Sequence, residues 1–323
     1  SPEDEFADYE TWDFGNLDVT EAKTAEMLPG EYARSGLQSG LLLEEKLGVN
    51  PFKFGMGGGT DTHTGLSTID EDNFFSKFIA YEPNAKRATH EGKKNEELGI
   101  EAFGGWKYSA AGTMGVWATA NTRGAIFDAM ERRETYATTG PRMRVRFFGG
   151  FDFDKDDAAR RDLAVLGYTK GVPMGGDLKD APDGKAPSFL VYALRDPIGA
   201  NLDRIQIIKG WVDAGGNPQE KVYDVAWSGD RKRGVDGKVP PVGDTVDLSI
   251  PSWTNTIGAA ELGTVWTDPD FDPGIRAFYY ARVIEIPTPR WTAYDAVKFD
   301  LDLSDKIPLK GQERAYTSPI WYT

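Results

Sequence analysis

Asp61 and His63 stand two positions apart, just past the apolar run Phe52–Met56 and the glycine cluster Gly57-Gly58-Gly59. Carboxylate and imidazole are ordinary donors to a hydrolytic metal. Residues at i and i+2 of an extended backbone point to the same side, so the pair can face one centre. Yet the chain has 2 histidines, His63 and His90, and no cysteine. That is too few for a multi-metal site, so either further donors lie on other polypeptide or the motif is a plain turn. In the plain reading Asp61 caps a loop and His63 is a solvated side chain.

Several nearby residues admit both a site role and a structural one. Thr60, Thr62 and Thr64 surround the pair and can orient it, although threonines also suit an extended polar segment. Arg142 is the first candidate for a substrate-facing cation, because guanidinium matches phosphate or sulfate oxygens. The alternation Arg142, Arg144, Arg146 equally describes the solvated face of a strand. Arg123, at a helix start where the dipole disfavours a cation, is a second candidate. Asp13 can meet the metal centre or serve a structural hydrogen bond, and His90 reads as a surface histidine in a polar loop. The runs Asp152, Asp154, Asp156 and Asp268, Asp270, Asp272 are not EF-hands. That loop needs Gly at its sixth place and Glu at its twelfth, where this chain has Asp157 and Leu163, then Pro273 and Tyr279. Trp211, Tyr223, Trp227, Trp253, Trp266 and Trp291 can form a sugar platform or fill a core.

The elements that must hold these residues divide at about residue 141. Residues 1–140 read as mixed α/β. Tyr32, Leu37, Leu41 and Leu42 give an apolar stripe to a helix over Glu31–Leu47, with Pro29 in its first turn and Gly48 as its stop. The Phe52–Met56 strand follows. Asn121 or Thr122 caps a second helix whose inner stripe is Ala125, Ile126, Ala129 and Met130. After Gly140-Pro141 the hydrophobic period becomes two, which predicts strands at Arg142–Phe147, Phe189–Leu194, Ile205–Val212, Val222–Trp227, Val246–Ile250, Leu262–Trp266 and Phe278–Ile286. Many short strands without intervening helices indicate an antiparallel β-sandwich over 141–323.

Composition narrows the function. The 323 residues carry a formal charge of −14, which disfavours nucleic acid and anionic membranes as general partners. No apolar run is long enough to span a bilayer. The opening Ser1-Pro2-Glu3-Asp4-Glu5-Phe6 resembles neither a signal peptide nor a native start, so the chain is expected to be the C-terminal part of a longer protein.

Gly59–Gly65, Arg133–Gly140, Gln312–Tyr322, Trp12–Leu17 and Pro287–Trp291 together resemble the bacterial domain of unknown function 3604 (DUF 3604) family. That family is related to the PHP (polymerase and histidinol phosphatase) metallophosphoesterases. The resemblance implies the C-terminal half of a distorted PHP-like α/β barrel in residues 1–140. Asp61 and His63 match the last metal motif of that superfamily, Asp-x-His, and the earlier ligands lie on an N-terminal segment of the same protein. It also implies divalent ions (Mn, Zn or Fe) and a metal-bound hydroxide that cleaves a small anionic ester, with the fragment alone inactive. The ester is expected to be a phosphate, while a sulfate ester or an amide uses the same chemistry. Export to the periplasm or beyond is expected by association with relatives. The alternative is a non-catalytic PHP-like scaffold whose β-domain binds a glycan or a protein.

Overall fold

The computed structural model describes residues 4–13, 15–16, 18–110 and 112–323. Phe14 and Leu17 of the Trp12–Leu17 motif, like Ser1, Pro2 and Glu3, lie outside the described residues. Helix α1 (Ala33–Leu47) buries Leu37 and Leu41 and ends at Gly48, whose φ of 74° is the left-handed conformation of a helix stop. Pro29 falls in a separate 3-10 turn (Leu28–Gly30), before the helix and not in its first turn.

Phe52–Met56, expected as a strand, joins no ladder. Its backbone is held by side chains instead: Thr135 Oγ1 donates to the Met56 carbonyl at 2.8 Å, and the Met56 N–H donates to Ser318 Oγ at 2.8 Å. From there to β1 (Thr113–Val116) the chain runs through turns, isolated bridges and short 3-10 turns. Strand β1 pairs antiparallel with β2 (Thr135–Thr138), and helix α2 (Arg123–Glu131) lies between them in sequence. Thr122 caps α2 by accepting the Ala125 N–H. Ala129 is buried, whereas Met130, expected on the inner stripe, is 45% exposed. A helix of 9 residues beside the outermost strand buries only a narrow stripe.

The remaining elements are β3 (Arg144–Gly150), α3 (Leu163–Lys170), β4 (Gly171–Pro173), β5 (Asp177–Leu178), β6 (Ser188–Leu194), β7 (Leu202–Val212), β8 (Pro218–Trp227), β9 (Glu261–Thr267), β10 (Ala277–Glu285), β11 (Thr288–Pro289), α4 (Trp291–Phe299), β12 (Lys310–Gly311), β13 (Arg314–Thr317) and β14 (Ile320–Tyr322). Helices α3 and α4 interrupt a series that read as strands alone. Val246–Ile250, expected as a strand, has only an isolated bridge from Asp247 to Ser252. The carboxylates of Asp244 and Asp247 accept N–H groups two residues ahead and close turns there.

An eight-stranded sheet runs β1-β2-β13-β10-β14-β5, with β7 on the other side of β10 and β8 beyond it. It includes strands from both sides of the 140/141 junction. The second sheet runs β4-β3-β6-β9. Pairing is mostly antiparallel; among the described residues β5 and β14 make the parallel pair. Val145, Phe147, Phe189 and Val191 of the smaller sheet share one core with Ile205, Ile207, Tyr279 and Val283 of the larger. The two sheets therefore pack face to face. On the far face of the large sheet, Ile208, Phe278, Tyr280 and Trp321 pack against Leu37 and Leu41 of α1. All of β10 is buried, which is why it reads as a nearly unbroken apolar run. The chain is thus mixed α/β and β-rich, with few helices.

Beside α1 that far face turns polar. Arg282 of β10 is gripped by Asp4, with Nη2 2.6 Å from Oδ1 and both side chains 1% exposed. It also donates to Gln206 Oε1. Arg314 Nη1 donates to the Phe6 carbonyl at 2.7 Å, and its guanidinium sits 3.8 Å from the centre of the Tyr9 ring. Residues 4–10 thus form a strap across the sheet, tied down by arginines. Burial alone would raise the Asp4 carboxyl; Arg282 and Arg34 outweigh it and hold the pKa at about 2.

Candidate functional site

The glycine cluster sets where Asp61 and His63 stand. A Cβ on Gly58 would lie 2.6 Å from the Thr113 carbonyl oxygen and 2.8 Å from that of Thr138. The bare backbone is what lets this segment run against the β1–β2 hairpin, and the Gly112 N–H closes on the Gly59 carbonyl at 3.2 Å. Gly58→Ala is therefore expected to destabilise by about 1–3 kcal/mol, the range for overpacking a tight site. Denaturant unfolding would show it, and a loss under about 0.3 kcal/mol would mean the contact is not needed.

Beyond the glycines the chain does not continue extended. Asp61 has φ 47°, left-handed, so a turn and not a strand brings its Oδ1 to 3.4 Å from His63 Nε2. The His63 N–H donates to the Lys77 carbonyl at 2.9 Å, and the Lys77 ammonium pairs with Asp61 Oδ2. That ammonium keeps the Asp61 carboxyl below the usual range. The His63 ring meets Phe78 edge-on, with centroids 4.6 Å apart. Ser76, immediately before Lys77, has φ 125°, strained for any residue but glycine. Two strained backbones therefore flank one ion pair, a pattern that clusters at functional sites. The Asp61 and His63 side chains are 70% and 52% exposed.

Both line a cleft of about 750 Å³. Trp12, Phe78, Tyr81, Phe103 and Tyr108 form its walls, and Lys77, Lys93 and Lys107 bring cations to it. Glu10, Asp18 and Asp61 line it too, so in a chain of charge −14 the three lysines make this cleft locally balanced, with Lys77 paired to Asp61 and Lys93 to Asp18. Sequence reasoning missed Lys77, Lys93 and Lys107. The available signal was basic–aromatic adjacency in irregular chain, Lys77-Phe78 and Trp106-Lys107-Tyr108. The irregular stretch between Phe52 and β1 supplies most of this lining.

Other expected site residues have local partners. Thr62 Oγ1 donates to the Thr60 carbonyl at 3.5 Å, and Thr64 Oγ1 accepts the Leu66 N–H at 3.2 Å. Asp13 accepts from the Tyr32 hydroxyl. Neither Arg142 nor Arg123 is among the cleft-lining residues: Arg142 Nε stands 3.6 Å from Asp196, and Arg123 is exposed in the first turn of α2. His90 is exposed, with its ring against Tyr81. Asp154 caps a short helix, Asp268 holds Lys209 at 2.6 Å, and Asp270 holds Lys221 at 2.5 Å. Among the described residues no group of three or more His, Cys, Asp or Glu is placed to hold a metal ion. Of the aromatics, Trp211 and Trp266 pack on the sandwich core, and Trp291 is buried beside Phe74. No helix is long and apolar enough to cross a membrane among the described residues.

Fold and cleft together define a β-rich, sandwich-centred protein with an exposed acid–imidazole pair beside lysines and aromatic rings. The chain belongs to the family described as "Protein of unknown function (DUF3604)", whose model matches residues 1–323. No curated protein and no solved structure matches it.

Proposed function

We propose that this chain is the C-terminal part of a PHP-like, metal-dependent hydrolase, acting on a small anionic ester, with a phosphoester the first choice. The observation that carries the reading is the Asp61–His63 pair, side by side and exposed on the wall of a cleft that also holds three lysines. As donors, one carboxylate and one imidazole fit a divalent cation such as Mn²⁺, Zn²⁺ or Fe²⁺. They are two donors where four or more are needed, so the rest come from an N-terminal segment of the same protein. A cation held there would polarise the ester and acidify water.

The chain's own residues do the remaining work. Lys77, Lys93 and Lys107 are the cationic donors that orient the anionic group within the cleft. The aromatic walls bury the rest of the substrate and exclude water. The Lys77–Asp61 pair holds the carboxylate in place beside His63. The glycan-binding alternative draws no support from Trp291, which is 1% exposed, and Trp211 and Trp266 are partly buried against the sandwich core.

The test uses the intact protein, reading bound metal by elemental analysis and turnover on phosphomonoester, phosphodiester, sulfate-ester and amide substrates. Asp61→Ala and His63→Ala are each expected to lower metal affinity and turnover by about 10–100-fold. His63→Ala, at an exposed side chain, should leave the unfolding midpoint in place, whereas Asp61→Ala puts alanine at φ 47° and should lower it slightly, so Asp61→Asn serves as its control. Full turnover and full metal content in both variants would remove the assigned role.

A further inference from the structure

A second cavity, about 250 Å³ in volume, shares no lining residue with the cleft. It opens between the Asp70–Asp72 turn and the C-terminal end of β10. Its floor has three buried carboxyl groups: Glu285, 1% exposed, Asp196, 6%, and Glu313, 7%. Glu71 and the mouth residues Asp70 and Asp72 add to them. Trp253, Tyr294 and Ile198 supply an apolar wall.

Protein donors answer most of these acids but not all. Asp196 accepts the N–H groups of Arg142 at 2.7 Å and Ile198 at 3.1 Å. Glu313 accepts from the Thr139 and Tyr9 hydroxyls, and Glu71 from the Trp291 N–H. Glu285 projects into the cavity with Oε1 buried and without a hydrogen-bond partner. None of the nearby cations hydrogen-bonds Glu285, although Arg142 Nε stands 3.6 Å from Asp196 and Arg290 Nη1 is itself buried without a partner. Arg195 Nη1 donates to the carbonyls of Asp196, Pro197 and Gly199, and Arg290 makes a two-point contact with Glu10. A buried carboxyl without a partner is costly, so such groups are usually matched to a cation or kept protonated.

We propose that this cavity binds a small organic cation, a primary ammonium compound of the size of a short diamine. The ammonium donates to Glu285 and to the free lone pairs of its acidic neighbours, and the carbon chain lies on Trp253 and Ile198. Two features select an organic cation over a metal ion. Among the described residues no three such donors converge on one point, and an indole in the wall suits an alkylammonium through its π face. The proposal is independent of the chemistry assigned to Asp61 and His63.

Calorimetric titration of the intact protein with 1,4-diaminobutane tests it, with 1,4-butanediol as the uncharged isostere and calcium chloride as the metal control. Saturable diamine binding, absent for the diol and weakened at least tenfold in Glu285→Gln, is the expected result. Ile198→Lys supplies a second arm if that variant does not fold. Ile198 is 74% exposed, so the change is tolerated, and its own ammonium should fill the mouth and abolish diamine binding. The proposal fails if the wild type takes up no diamine at millimolar concentration, or if binding is unchanged in the folded variants. It fails equally if calcium alone binds and Glu285→Gln removes it.

Discussion

Arg282→Met is expected to destabilise the protein by about 3–5 kcal/mol, the usual cost of leaving one member of a buried ion pair uncompensated. Asp4, its side chain 1% exposed, would keep the Arg34 contact at 2.8 Å and the Phe6 N–H at 3.1 Å but lose the guanidinium that grips both its oxygens, and Gln206 Oε1 would lose both of its guanidinium donors. Removing Asp4 as well is the informative second step. Asp4→Leu added to Arg282→Met removes the stranded charge, so the double variant should regain at least about 1 kcal/mol. Guanidinium unfolding curves for the wild type, the single and the double variant decide it. A single variant within about 1 kcal/mol of wild type would show that the strap of residues 4–10 is dispensable.

The second large effect is a stability that declines as pH rises. Burial, with Glu313 adding repulsion, lifts the Glu71 carboxyl to about 8. Burial with Glu10 nearby lifts Glu313 to about 7, against the Thr139 hydrogen bond. Burial and Glu313 raise Glu285 well above the carboxylate range. With no cation bound beside them these groups are protonated in the folded chain and ionised in the unfolded one over the same interval, so the unliganded folded state binds more protons, and a bound ammonium would displace the Glu285 proton. Their contribution is complete below about pH 4.5 and disappears as pH climbs through 7 and 8. Asp4, held at about 2, acts in the opposite sense: its share is present above its ordinary value of about 3.8 and fades as pH falls through 2. The maximum should therefore fall at about pH 4–4.5, with a loss of several kcal/mol by about pH 8.5. Denaturant titrations at pH 5.5 and 8.5 measure it, and Glu313→Gln should flatten the slope. A stability that rises over that range would exclude protonated acids in this cluster.

Local chemistry explains which elements could be read from the chain. Helix α1 was legible because Leu37, Leu41 and Gly48 all act within one helix. Strand β3 and strands β6 to β10 were legible from local patterns, alternation in β9 and short apolar runs in β6, β7 and β10, which are buried on both faces. Phe52–Met56 misled, since its hydrogen bonds go to Thr135 and Ser318, far along the sequence. Val246–Ile250 misled because aspartate turns outcompeted a ladder. Strands β13 and β14 were not expected as strands. They are short, and their burial is decided by β10. At the site, spacing singled out Asp61 and His63, but it assigned their meeting to extended geometry when a left-handed residue brings them together. The lysines of the cleft had no periodic signature, because they sit on irregular backbone.

The placement of β13 and β14 beside β10 bears on how the protein is made. Residues 314–322 fill the middle of the large sheet, while residues 4–10 are bound across it. Everything from residue 4 to residue 322 must therefore have left the ribosome before that sheet can close. Until then the apolar strands β7 and β10 wait without their neighbours, so during synthesis this chain is a natural client for chaperones that shield nascent hydrophobic segments.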